Sequence, residues 1–183
     1  PLLGENVILT VVQLLLVNLA MDTLAAIAFG SEPALKEYMK DKPIARDASI
    51  VTKDMLVEIL IGALYITFIC LAILFVPAIR GLFGDVDVTY LKSAIFAVFM
   101  MAITFNGFNA RTNHLNILKG IGKNKNFIYV MLSIFALQFV FVTFGGDVLS
   151  VEALNLKSWI ICIALAFAVI PLDMIRKAIT GKK

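Results

Sequence analysis

Charge is scarce in this chain. Of its 183 residues, 16% are Asp, Glu, Lys or Arg and 61% are hydrophobic, whereas soluble domains carry about 25% charged residues. The chain also has one histidine, one tryptophan and two cysteines. Cys70 and Cys162 lie inside apolar runs without CxxC spacing, which excludes a cysteine zinc site and a disulfide framework and leaves two small buried hydrophobes. His114 stands in a basic, polar loop with no ligand set beside it and reads as solvent-exposed. No GxxxxGK[ST], HExxH or GxSxG pattern occurs, so nothing within the chain points to nucleotide binding, zinc hydrolysis or a serine nucleophile. The net charge of +3 is small. Basic residues without an aromatic-rich polar surface give no argument for nucleic acid. The start, at Pro1 rather than Met, shows no signal-peptide pattern and is expected to be a cut from a longer chain.

What is present is hydrocarbon-seeking sequence, with a mean hydropathy of +0.95. Crossing about 30 Å of hydrocarbon takes about 20 apolar residues. Five segments reach that length, at about 7–29, 55–76, 91–110, 127–144 and 158–174. Strand edges left open in lipid would strand backbone polar groups, so all five are expected to be helices. The expected fold is all-α, a polytopic bundle of five transmembrane spans. No internal repeat interrupts it, and 1–183 reads as one membrane domain with the lipid bilayer as its first partner.

Thirteen of the sixteen Lys and Arg residues fall in 30–54, 111–126 and the tail after 174, all on one side of the membrane. The other side has only Arg80, Lys92 and Lys157. That bias predicts a cytoplasmic C-terminus and an N-terminus outside. Residues 30–54 also hold as many acids as bases. They suit either a docking surface or a solvated loop, with Pro33 and Pro43 keeping them from forming one helix.

The first span poses the chemical question. VVQLLLVNLAMDTLAAIAF carries Asn18 and Asp22, four apart and so on one helix face. An acid near a helix centre costs about 2.5–3.5 kcal/mol on insertion scales, so it is expected to face the bundle and find a partner. An amide oxygen and a carboxylate suit a hard cation such as Ca²⁺, but a structural hydrogen bond to a neighbouring helix fits the same residues. The pair also falls short of the roughly 6–8 oxygens that Ca²⁺ takes. Glu58 reads as interfacial, and Asn106, Asn109 and Gln138 as interhelical hydrogen-bond partners. Asp173 reads as a local ion-pair partner of Arg176 and Lys177. On residues alone the candidates are an ion transporter and a stand-alone five-span scaffold or channel subunit.

QLLLVNLAMDTLAAIAFGSEP (13–33) closely resembles the sixth membrane helix of P-type Ca²⁺-ATPases, nearest to the plasma-membrane type with its V-N-L-x-M-D-T and following E-P. KPIAR (42–46) is similar to the family's K-P-x-x-R, FNGFNAR (105–111) to the end of the eighth helix, and the span after LNLKSW to the tenth. The resemblance covers nearly the whole chain, as helices six to ten. It implies the membrane part of an ATP-driven Ca²⁺ export pump of the cell membrane, with Asn18 and Asp22 as metal ligands. The remaining ligands would come from a fourth helix outside this chain. ATP and Mg²⁺ would be used only by the full-length enzyme, since no D-K-T-G-T phosphorylation motif is present. The partner would be the N-terminal part of the same pump, with 30–54 contacting its phosphorylation domain. A pump for Mn²⁺, Na⁺ or K⁺ is the alternative within the family.

Two departures bear on stoichiometry. Sarcoplasmic-reticulum-type pumps, which bind two ions, have Thr where Met21 stands and Glu where Ile103 stands, so one Ca²⁺ per cycle is expected here. They also have Gly after the Asp, which helps unwind the helix. Thr23 takes that place, and the sequence marks no unwinding.

Overall fold

Each long helix starts where a polar side chain can take up a free N–H. In the computed structural model, which describes residues 8–32, 49, 51–112, 114–118 and 120–180, five helices are long and apolar enough to cross a membrane. They are α1 (Val11–Gly30), α2 (Lys53–Phe75), α3 (Val88–Arg111), α4 (Lys125–Phe144) and α5 (Leu156–Ile179). Thr10, Thr52, Asp87, Asn124 and Asn155 precede them, and each side-chain oxygen accepts a first-turn amide at 2.8–3.2 Å. Thr10 and Gln13 form a reciprocal capping box. These caps explain why α2 to α5 begin two or three residues ahead of their hydrophobic runs and why α1 begins at Val11, not near residue 7. Among the described residues there is no strand.

α3 is the hub. Leu91, Ala94, Ile95, Phe96, Ala97 and Val98 are all buried, covering every face of its N-terminal half, as expected of a helix enclosed by others. It packs against α2, α4 and α5, while the second half of α1 lies on α4. Hydrogen bonds between spans accompany these contacts. Tyr65 donates to Leu165 O at 2.6 Å, Tyr90 to Ser158 Oγ at 2.9 Å, and Asn109 Nδ2 to Val169 O at 3.1 Å. Gln138 Nε2 donates to Met100 O and to Thr104 Oγ1, so Asn109 and Gln138 serve between helices as the sequence suggests. Cys162 is buried and Cys70 partly so, both as free thiols. Leu60, Leu64 and Phe68 on α2 and Leu132 and Phe139 on α4 stand exposed, an apolar outer surface suited to acyl chains.

Proline sets two interruptions. Val76, before Pro77, is held in extended backbone at φ −92°, ψ 110°, and α2 ends there. α5 breaks at Ala168 between Leu156–Phe167 and Val169–Ile179. Pro171 lacks the N–H that would reach Phe167 O, and its ring crowds that carbonyl. The last span therefore runs to Ile179, past the hydropathic limit near 174.

Candidate functional site

α1 is not one uniform helix. Val11–Leu16 and Thr23–Gly30 are α-helical, but Val17–Asp22 is a π-helical segment with i→i+5 hydrogen bonding. Such segments are rare and concentrate at functional sites. Asn18 and Asp22 both lie in it. Neither Gly nor Pro marks the place, and Thr23 after the acid gives no signal of it.

The spacing of four keeps the two side chains on one side of the helix, and that side points outward. Asn18 and Asp22 are exposed, together with Leu15, Leu19, Thr23 and Ala26. The adjoining face carries the buried Gln13, Val17, Met21 and Ala28. Within this chain the apolar stripe of α1 packs against α4, and Asn18 and Asp22 stay exposed beside it, the under-coordinated face expected when further ligands come from helices outside the chain. Among the described residues, no hydrogen bond or ion pair reaches either side chain, and no group of three or more His, Cys, Asp or Glu comes together as a metal cluster.

Asp22 also borders a cavity of about 170 Å³ between α1, α3 and α4. Met21, Ile103, Thr104, Asn106 and Met131 line it too. Met21 and Ile103, the two apolar departures from the two-ion pattern, therefore face the same space. A thioether and a butyl group are poor company for a hard cation. A larger cavity of about 640 Å³ lies between α3, α4, α5 and residues 115–118. Its lining holds no acid and only one polar side chain, Asn116, so it has nothing to attract a cation.

Two charged clusters sit at the end of the bundle where α1, α3 and α5 finish and α2 and α4 begin. In the first, Arg176 bridges Asp173 at 2.6 Å and Glu58 at 2.9 Å, and Lys177 reaches Asp173 at 2.8 Å. The local pairs follow from the spacing of three and four. Glu58, near the start of α2, also ties that helix to α5. In the second, Arg111 donates to Glu32 at 2.8 Å and Asn124 to the other Glu32 oxygen at 2.7 Å. Sequence reading missed this junction, although Glu32 belongs to the E-P and Arg111 to the N-A-R of the quoted motifs. His114 is half-buried rather than exposed, with its backbone N–H on Thr112 Oγ1 at 3.2 Å. The KPIAR segment, Pro33, Pro43, Lys119 and the final lysines lie outside the described residues.

Comparison with known proteins adds the lineage. Residues 6–179 match the family described as cation transporting ATPase, C-terminus. The chain is 37% identical over 179 residues to calcium-transporting ATPase 8, plasma membrane-type, of Arabidopsis thaliana, covering 95% of the chain and 17% of that protein. It is 33% identical over 184 residues to plasma membrane calcium-transporting ATPase mca-1 of Caenorhabditis elegans, covering 96% of the chain and 15% of that protein. Against plasma membrane calcium-transporting ATPase 3 of Homo sapiens it is 35% identical over 167 residues, covering 85% of the chain and 13% of that protein. The chain thus spans between 13% and 17% of the length of these relatives. With a match running almost from end to end, the chain belongs to the family of C-terminal regions of cation-transporting ATPases.

Proposed function

We propose that this chain is the C-terminal membrane part of an ATP-driven pump that exports Ca²⁺ across the plasma membrane, and that Asn18 and Asp22 are ligands of the transported ion. The observation that carries the reading is the placement of an amide and a carboxylate in the π segment Val17–Asp22, on a face of α1 where no described residue reaches them. A carboxylate at that depth against lipid would be costly. A cation held between it and further oxygens, from helices of the pump outside this chain, removes the cost. The plasma-membrane calcium-transporting relatives point to Ca²⁺ as that cation.

The chemistry then follows from charge. In the state open to the cytoplasm, Asp22 and Asn18 hold Ca²⁺ with those other oxygens. Apolar Met21 and Ile103 stand where the two-ion pumps have Thr and Glu, which supports one Ca²⁺ per cycle. ATP and Mg²⁺ act in cytoplasmic parts of the longer protein. Residues 30–54, on the cytoplasmic side together with the C-terminus, dock on the phosphorylation domain and link the two.

Asp22→Asn in the full-length pump tests the reading. It is expected to abolish Ca²⁺-dependent phosphorylation from ATP, because the neutral amide loses both the charge and an oxygen. Undiminished phosphorylation at micromolar Ca²⁺ would overturn the assignment. Competition by Mn²⁺ or Na⁺ in the wild type, at concentrations that leave Ca²⁺ ineffective, would overturn the ion.

A further inference from the structure

α1 is held at both ends, with the adaptable segment between. At the outer end, Gln13 Nε2 donates to Leu149 O at 2.7 Å, and Gln13 is buried. At the inner end, Glu32 is bound by two partners from two other elements. Its Oε1 accepts from Arg111 Nη1 at 2.8 Å and its Oε2 from Asn124 Nδ2 at 2.7 Å. Each partner is itself fixed. Arg111 Nη2 donates to Ile117 O at 2.9 Å, and its guanidinium lies 5.5 Å from the centre of the Phe127 ring. Asn124 Oδ1 accepts Phe127 N–H at 2.9 Å as the N-cap of α4. The Arg111 side chain is only 2% exposed and that of Glu32 21%, so the pair is largely withdrawn from solvent screening.

Glu32 is also joined firmly to the helix it follows. Its N–H donates to Phe29 O at 3.1 Å, and Ser31 N–H and Oγ both reach Ile27 O, at 3.2 and 2.8 Å. Phe29 packs on Phe127 with ring centres 5.9 Å apart. From Thr23 to Glu32 the chain is therefore one stiff piece, anchored on the ends of α3 and α4. A change in the hydrogen-bond ladder of Val17–Asp22 turns one half of α1 against the other. With both ends anchored, that change must appear within the segment that carries Asn18 and Asp22.

We propose that Glu32 is a positioning residue for the ion site: its bridge to Arg111 and Asn124 fixes the inner half of α1, and so sets where Asp22 stands relative to Asn18. The proposal rests on the reading of those two residues as ligands. Removing the bridge lets the inner half turn and lowers affinity for the ion, while the ligands themselves are intact.

The experiment compares Glu32→Gln, Glu32→Asp, Asn124→Ser and Asp22→Asn in the full-length pump in membrane vesicles. Phosphorylation from ATP and turnover are measured against free Ca²⁺. Serine keeps the cap of α4 but lacks the amide that reaches Glu32. Glu32→Gln and Asn124→Ser are expected to raise half-saturating Ca²⁺ about tenfold, within the usual span of coupling between sites. Turnover at saturating Ca²⁺ should stay within about twofold of wild type, and Glu32→Asp should recover part of the affinity. Unchanged half-saturation in both variants overturns the proposal. So does a fall in expression and turnover together with unchanged affinity, which marks a purely structural bridge. Asp22→Asn separates the two claims: if it keeps Ca²⁺-dependent phosphorylation, the ligand reading fails. If it is inactive while Glu32→Gln binds normally, only the positioning role fails.

Discussion

Lys177 has no solvent exposure, and its ammonium donates to two backbone carbonyls while pairing with a carboxylate. It reaches Asp173 Oδ2 at 2.8 Å, Asn109 O at 2.9 Å and Thr112 O at 2.7 Å. The two carbonyls belong to the last turn and cap of α3, where helix geometry leaves acceptors without amides and the dipole favours a cation. Lys177 therefore caps one helix from another while balancing Asp173. Lys177→Met keeps the length and apolar stem but strips both functions. Removing one partner of a buried pair costs about 3–5 kcal/mol. On the scale of a 183-residue unit each kcal/mol moves the thermal midpoint by about 2–4 °C, so Lys177→Met should lower the midpoint by roughly 10 °C. Lys177→Arg should be destabilised as well, since a planar fork does not reproduce three converging contacts. An unchanged midpoint for Lys177→Met would refute the capping role. The pairs to Asp173 were legible in the sequence from spacing, but the carbonyls and Glu58 were not. No local pattern says that the end of α3 and the start of α2 meet the last turns of α5.

Among the elements, the helix starts carry the same lesson. Hydropathy finds the interior of a span and is blind to its polar first turn, which is why residues 53–54, 88–90, 125–126 and 156–157 fall outside the apolar runs yet inside the helices. The caps themselves are written in plain sequence: T-x-x-Q at Thr10–Gln13, then Thr52, Asp87, Asn124 and Asn155. Asn155 offers a clean test, because its Oδ1 caps α5 through Ser158 N–H at 2.8 Å, and α5 supports α3 along its length. Asn155→Ala should destabilise the protein by about 1 kcal/mol, and Asn155→Asp by much less. Equal midpoints for the two variants in thermal unfolding would show that the cap contributes nothing. The break at Ala168 was equally open to reading from Pro171. The π segment was not: it requires no special residue, and it arises in a helix whose apolar face is drawn to α3 and α4 while its ends are held by Gln13 and Glu32. Nor could spacing alone tell which way the shared face of Asn18 and Asp22 turns. That depends on which side of α1 the rest of the bundle covers.

At the scale of the whole molecule, alternation of five helices puts the C-terminal ends of α1, α3 and α5 and the N-terminal ends of α2 and α4 together. Both buried charge clusters lie at that end. Arg111, Arg176 and Lys177, counted earlier toward the basic side, are spent there on Glu32, Glu58 and Asp173. Ten other Lys and Arg residues still lie on that side, against three on the opposite one. The bias therefore survives the pairing, and it predicts that this end faces the cytoplasm. The proposed coupling depends on this orientation, since it needs residues 30–54 on the same side as the nucleotide-binding parts. Exposed Asp147, in the turn after α4, and exposed Lys123, just before α4, mark the two sides. In a cysteine-free background, Asp147→Cys should react with a membrane-impermeant maleimide on intact cells. Lys123→Cys should react only after permeabilisation. Reversed labelling would put residues 30–54 outside the cell, where no ATP-driven domain could reach them, and the proposed coupling would fall with the orientation.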